Sequence, residues 1–300
     1  MAPVAQAERE LHTVSAPWLV SCHGGHSSAY CDHAYSPLRD MLNAAVSQGF
    51  AAYGITEHAP RYGDNYLFNE EKAQGWTVDT LVEKFDQYAK DSLALQEEYR
   101  GQLRILRGFE AEVVPDAQYL ELMLGLRETY SFDYLVGSVH YVDDFVIDYT
   151  PAAFLDASEA LGGVEALAVR YYQIVAEMVT RLQPEVVGHL DLIRKLAPDR
   201  DAVRTPRVRQ AAFHTLEVIK EYGGIIDINT TPLRRGDTIP YVEPWLLDAA
   251  VATGLHFTFG DDSHATDQVG ANIREARDYL LEHGVTEIWL PGDAEAIPLR

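Results

Sequence analysis

Short runs of β-forming residues alternate with longer segments of helical period along most of the chain, the pattern of a parallel sheet with crossover helices. Seven runs read as strands: residues 18–23, 51–57, 104–113, 134–142, 186–192, 224–229 and 256–259. Between the first two, Leu38, Met41, Leu42, Ala45 and Val46 recur at helical spacing, with Pro37 placed to start a helix and Gly49 to end it. The same single apolar stripe returns in Leu81, Phe85 and Tyr88, in Leu167, Tyr171, Ile174, Met178 and Leu182, and in Val208, Ala212, Leu216 and Ile219. A last helix is expected over 271–283, and 285–290 reads either as an eighth strand or as a closing segment. The order predicts an α/β fold in which strands close into a barrel walled by helices. Two connections, 59–75 and 143–163, are longer than usual and are expected to lie over the strand ends as lids.

Composition narrows the class. At 300 residues, a β/α barrel is expected to form one domain over 18–300, after a flexible lead-in over 1–17. Glu8, Arg9 and Glu10 deny that lead-in the apolar block of a secretory signal, and no apolar run is long enough to span a bilayer. A formal net charge of −22 repels nucleic acid, so a small substrate is expected, with neither nucleic acid nor membrane as partner. Two cysteines, Cys22 and Cys31, are too few for a disulfide framework and fit a reducing cytoplasm. They read as small buried residues. Their spacing leaves open a thiolate zinc site with neighbouring histidines, although the tight cysteine pairs of structural zinc sites are absent.

Of the 11 histidines, seven stand at or just beyond the ends of expected strands: His23, His26, His33, His58, His140, His189 and His264. A single histidine is by default a hydrogen-bonded or exposed side chain. Seven at equivalent positions converge at one mouth of a parallel barrel. Glu110 and Asp262 join them, supplying charge that neutral imidazoles lack and able to bridge cations. Such a set holds several divalent ions and attracts an anion, and phosphate esters are the natural candidates. Glu57, Glu112, Asp191 and Asp261 read as partners that orient the histidines. Other phosphate chemistries lack their signatures: no cysteine is followed six residues later by arginine, no arginine precedes a His-Gly pair, and no glycine loop ends in Lys-Ser or Lys-Thr. The stretch from Asp227 to Thr230 resembles an aspartyl-phosphate motif only faintly, because Asn229 replaces its second aspartate. Metal-activated water is the remaining nucleophile.

The ordered set Cys22-His23-Gly24-Gly25-His26, Asp32-His33-Ala34, Thr56-Glu57-His58, Gly108-Phe109-Glu110, Gly137-Ser138-Val139-His140, Gly188-His189-Leu190-Asp191 and Asp262-Ser263-His264 resembles the polymerase-and-histidinol-phosphatase (PHP) family over about residues 20–285. That resemblance implies a distorted (β/α)7 barrel and three divalent metal ions, with zinc, iron and manganese as candidates. It places one ion on His23, His26, Glu110 and Asp262, a second on Glu110, His140 and His189, and a third on His33, His58 and His264. One departure stands out: two glycines rather than one residue separate His23 from His26, which predicts a bulge. Segments 188–195 and 227–235 are most similar to the histidinol-phosphate phosphatases of the family. The implied substrate is L-histidinol phosphate in histidine biosynthesis, with Arg194, Arg234 and Arg235 binding phosphate and Glu110, Asp262 and Arg194 catalytic. Rival expectations are another small ester (a nucleotide or sugar phosphate), a non-catalytic polymerase-accessory module, and a metal-dependent amide hydrolase.

Overall fold

The computed structural model describes residues 16–300; the expected lead-in, His12 included, lies outside them save for Ala16 and Pro17. Seven strands form one parallel sheet in chain order: β1 (Val20–Ser21), β2 (Ala52–His58), β3 (Arg104–Ala111), β4 (Tyr134–Gly137), β5 (Val186–Val187), β6 (Ile225–Asn229) and β7 (His256–Gly260). The longest, β2 and β3, pair over seven residues from Ala52 opposite Arg104 to His58 opposite Glu110. That register puts two candidate ligands side by side. The Cys22 amide donates to the Phe259 carbonyl at 2.7 Å and the Asp262 amide to the His23 carbonyl at 2.8 Å, so the last strand returns to the first. The sheet is thereby nearly closed.

Both faces of the strands are covered, which is why they read as continuous apolar runs. Tyr134 fills the barrel interior and donates to the Cys22 carbonyl at 2.8 Å. Gly108 makes room for it: a Cβ there would meet the Tyr134 ring at 2.7 Å. The crossover helices follow the expected stripes, as in Leu38–Gln48, which ends at Gly49 with φ 79°, and Pro206–Tyr222, whose first turn Thr205 caps. No helix among the described residues is long and apolar enough to cross a membrane.

The segment 285–290 is no eighth barrel strand. Glu287–Ile288 pairs antiparallel with Ile297–Pro298, and the segment packs on the barrel, where the Trp289 amide donates to the Phe257 carbonyl 2.8 Å away. The two long connections carry short elements of their own, including helices Asn69–Ala73 and Pro151–Ala160. They meet where Phe68 stacks on Tyr149 at 5.0 Å and the Tyr149 hydroxyl donates to Glu70 at 2.6 Å.

Candidate metal centre

Strand ends deliver the nine predicted ligands to one place. His23 and His26 follow β1, His58 ends β2, Glu110 lies in β3, His140 and His189 follow β4 and β5, and Asp262 and His264 follow β7. Glu110 is the hub. Its Oε1 lies 3.2 Å from both His23 Nε2 and His189 Nε2 and 3.6 Å from His140 Nε2, while Oε2 lies 2.7 Å from His58 Nδ1. On the other side, His26 Nε2 lies 3.5 Å from Asp262 Oδ1, and the His26 ring stacks between His58 at 4.1 Å and His264 at 4.3 Å. His33 completes the group, its ring 4.9 Å from that of His264.

The extra glycine that sets His23 apart is accommodated. A Cβ on Gly24 would collide with Asp261 Oδ1 at 2.1 Å, and Gly25 takes φ 75°, a conformation only glycine adopts cheaply. His23 itself is fully buried, within reach of both Glu110 and Asp227. Asp262 also has a positive φ, 46°, and its conformation is held by its own amide bond to His23 and by Arg234 Nη2 donating to its carbonyl at 2.9 Å.

Orientation comes from a surrounding ring of acceptors. Asp227 Oδ2 holds His23 Nδ1 at 2.8 Å, Glu112 holds His140 Nδ1 at 2.6 Å, and the Asp262 carbonyl holds His264 Nδ1 at 3.0 Å. Each leaves the other ring nitrogen facing inward. Glu57 accepts from the Ser27 and His58 amides and lies 3.5 Å from His26 Nδ1, so it takes the expected supporting place, as does Glu112. Asp191 and Asp261 do not orient any histidine: Asp191 binds Arg194 and the Glu243 amide, and Asp261 binds Tyr53 and the Gly270 amide. Asp227, faint as a phosphoenzyme motif, is instead the partner of His23, and it is fully buried, out of reach of a phosphoryl donor. Its signal was the alternation of Asp227 and Asn229 on one face of β6.

The electrostatics of the cluster suit cations. Burial alone would raise the Glu110 carboxyl, but His23, His140 and His189 more than offset it and hold it well below the usual range. Burial and then the neighbouring imidazole His58 keep His26 neutral, and burial and then His26 do the same for His264. Nε2 of His23, His26, His58 and His264 is buried with no hydrogen-bond partner, a cost that a bound cation would relieve; in His189 the unpartnered atom is Nδ1, while Nε2 faces Glu110. Four overlapping donor sets, each within 4.8 Å across, result: His23 with Glu110 and His189; His23 with His26 and Asp262; His26 with His58 and Glu110; and Cys31 with His33, His58 and His264. The residues fit divalent metal ions.

Over the cluster opens a cavity of about 740 Å³, lined by His33, His58, Glu110, His140, Asp262 and His264 and also by Asp148, Lys195, Arg234, Arg235 and Asp267. Arg234 thus lies where expected, although its guanidinium donates to the carbonyls of Asp261 and Asp262 and supports the segment after β7. Arg235 makes no ion pair among the described residues. Arg194 does not reach the cavity. It is 2% exposed and bound to Asp191 at 2.9 Å and the Pro240 carbonyl at 2.8 Å, with Tyr241 under its guanidinium. The basic side chain from that segment facing the cavity is Lys195, which the sequence reading missed; its Nζ lies 2.8 Å from Asp148.

Comparison with known proteins places this geometry in context. The PHP domain family matches residues 23–231. A Schizosaccharomyces pombe protein named "Probable histidinol-phosphatase" is 34% identical over 90% of this chain and 88% of its own. The histidinol-phosphatase of Saccharomyces cerevisiae is 25% identical over 87% of this chain and 88% of its own. A crystal structure of histidinol phosphate phosphatase from Lactococcus lactis, complexed with zinc, L-histidinol and phosphate, superposes with a TM-score of 0.66 at 19% identity, over 90% of this chain and 95% of that one, a likeness of fold.

Proposed function

Because the chain belongs to the PHP domain family, we propose that it is a metal-dependent phosphomonoester hydrolase, a histidinol-phosphatase that converts L-histidinol phosphate and water to L-histidinol and inorganic phosphate. The observation that carries the reading is the convergence of seven imidazoles and two carboxylates, with Nε2 of His23, His26, His58 and His264 buried and unpartnered, beneath a cavity lined by Lys195, Arg234 and Arg235.

The reading assigns three ions. His23, His26, Glu110 and Asp262 would hold one, Glu110 with His140 and His189 a second, and His33, His58 and His264 a third. Zinc leads among zinc, iron and manganese, since imidazole with carboxylate suits it. Divalent cations bound there would activate water at neutral pH and offset charge on the transferring phosphoryl group. The chain's own part is positional and electrostatic. Glu110, shared by four imidazoles, keeps them within a few ångströms of one another, and Asp262 closes the set from β7. Arg235 and Lys195 bring cationic donors to the phosphoryl oxygens, and Arg234 adds a third while supporting Asp262. Asp148 and Asp267, which also line the cavity, would complement the amine-bearing alcohol half of the substrate. The cavity's cationic donors also explain how an anion is bound by a chain of net charge −22.

A panel of L-histidinol phosphate, nucleoside monophosphates and sugar phosphates, scored by phosphate release per kcat/KM, tests the assignment. L-histidinol phosphate should lead the panel. A nucleotide or sugar phosphate turned over far more efficiently would reassign the substrate, and phosphate release undiminished in rigorously metal-free protein would remove the metal reading.

A further inference from the structure

Cys31 has no part in that account. It is 6% exposed, in the turn after β1, with its amide donating to the Ser27 carbonyl at 2.9 Å. Its Sγ lies 3.3 Å from His33 Nδ1, and with one ring nitrogen each from His33, His58 and His264 it forms a four-donor set within 4.8 Å. Two of the histidines already have Nδ1 occupied: His58 Nδ1 faces Glu110 Oε2 at 2.7 Å and His264 Nδ1 faces the Asp262 carbonyl at 3.0 Å. His33 Nδ1, the ring atom beside Sγ, also lies 2.9 Å from Asp32 Oδ1. The Nε2 atoms of His58 and His264 are buried without a partner. The molecule's other cysteine differs in kind: Cys22 is sealed in the core, where its Sγ accepts from Thr258 at 3.2 Å.

We propose that Cys31 is a protein ligand of the ion held by His33, His58 and His264, giving that ion one sulfur and three imidazole donors. The proposal rests on the metal reading above and adds to it a donor of a different chemistry. Three neutral imidazoles leave a divalent ion's charge uncompensated, and a thiolate, its proton released to solvent on binding, would cancel half of it. Sulfur would also sort the metals. Soft thiolate favours zinc, cobalt and iron(II) over manganese and magnesium, so this position would discriminate more sharply than the imidazole-and-carboxylate positions that share Glu110. The same contact would tie the turn after β1 to the ends of β2 and β7.

Cobalt substitution of the full-length protein decides the matter. Metal-free protein loaded with cobalt(II) should show visible d–d bands and, in addition, a near-ultraviolet thiolate-to-cobalt charge-transfer band. The zinc-loaded protein should show a sulfur neighbour at about 2.3 Å in X-ray absorption at the zinc edge. Cys31→Ser should abolish both sulfur signatures, whereas Cys22→Ala should keep them. Should Cys31→Ser fail to fold, the two wild-type spectra still decide. Visible cobalt bands with no charge transfer, and a zinc edge with nitrogen and oxygen neighbours only, would overturn the sulfur ligand and leave the metal reading standing. So would a sulfur signature that survives Cys31→Ser. A chain that takes up no cobalt at all would overturn both.

Discussion

Replacing Glu110 with glutamine keeps the shape of the hub and removes its charge. Glutamine must turn its NH2 toward one side of the cluster or the other. Facing His23 and His189, it donates to the Nε2 atoms that Oε1 now approaches at 3.2 Å and occupies the lone pairs a metal requires. Facing His58, it meets Nδ1, 2.7 Å from Oε2, and so drives the ring proton onto Nε2, the atom aimed at His33 and His264. Either orientation disables one donor set, and the negative charge is lost to both ions that would share it. With a charge-assisted contact worth roughly 1.5–3 kcal/mol, each ion should bind about 10- to 100-fold more weakly. Turnover should fall at least about a hundredfold in metal-limited buffer. Metal content after dialysis, measured by mass spectrometry, and phosphate release, measured before and after adding zinc back, provide the readouts. Glu110→Gln protein with a full metal complement and turnover within about threefold of wild type would refute the hub assignment.

Asp227→Asn should weaken zinc binding about 10- to 100-fold in a competition titration with a chromophoric chelator, because an amide no longer fixes the tautomer of buried His23. Arg194→Ala should act on stability rather than catalysis, costing roughly 3–5 kcal/mol in urea unfolding by leaving buried Asp191 without its cation, whereas Arg235→Ala should lower kcat/KM about thirtyfold with metal content unchanged. In His140, burial favours the neutral ring but Glu112 and Glu110 favour the charged one and push its pKa up to about 9. The metal-free protein therefore carries a proton there at pH 7. Its contribution to apo stability should be full below about 6.5 and lost as pH rises through about 9. Metal uptake at pH 7 should release protons, which calorimetry in buffers of different ionisation enthalpy will count.

Much of this was legible in the chain. All seven strands lie where runs of buried β-formers placed them, because a sheet covered on both faces leaves its strands uniformly apolar. The histidines were legible for a related reason: in a parallel barrel, position after a strand fixes the face on which a side chain emerges. The misses are local. The run 134–142 reads as one strand, but β4 stops at Gly137 and Tyr141–Val142 pairs back on Phe145–Val146 around Asp143 and Asp144, both at positive φ. Arg194 and Lys195 are adjacent, and the single turn Leu192–Arg194 sends one into the interior and the other into the cavity, a rotation no periodicity encodes. By sequence Cys31 reads as a small buried residue, with a thiolate zinc site beside neighbouring histidines as the alternative. Buried it is, but its neighbours are three imidazoles that come together only when β1, β2 and β7 are assembled.

The meeting of first and last strands has a consequence for biogenesis. His23 and Asp262 lie on the two margins of the seam at which the sheet returns on itself, joined there by the amide of one and the carbonyl of the other. His26 and Asp262 are more than 230 residues apart in the chain, so the strands between them must be assembled before the two margins can meet. If these residues hold an ion as proposed, its capture at full affinity should follow closure of the seam. An ion spanning His26 and Asp262 would act as a latch on a barrel already rolled up, and scarcity of metal during growth should leave closed but unlatched molecules rather than truncated folding intermediates.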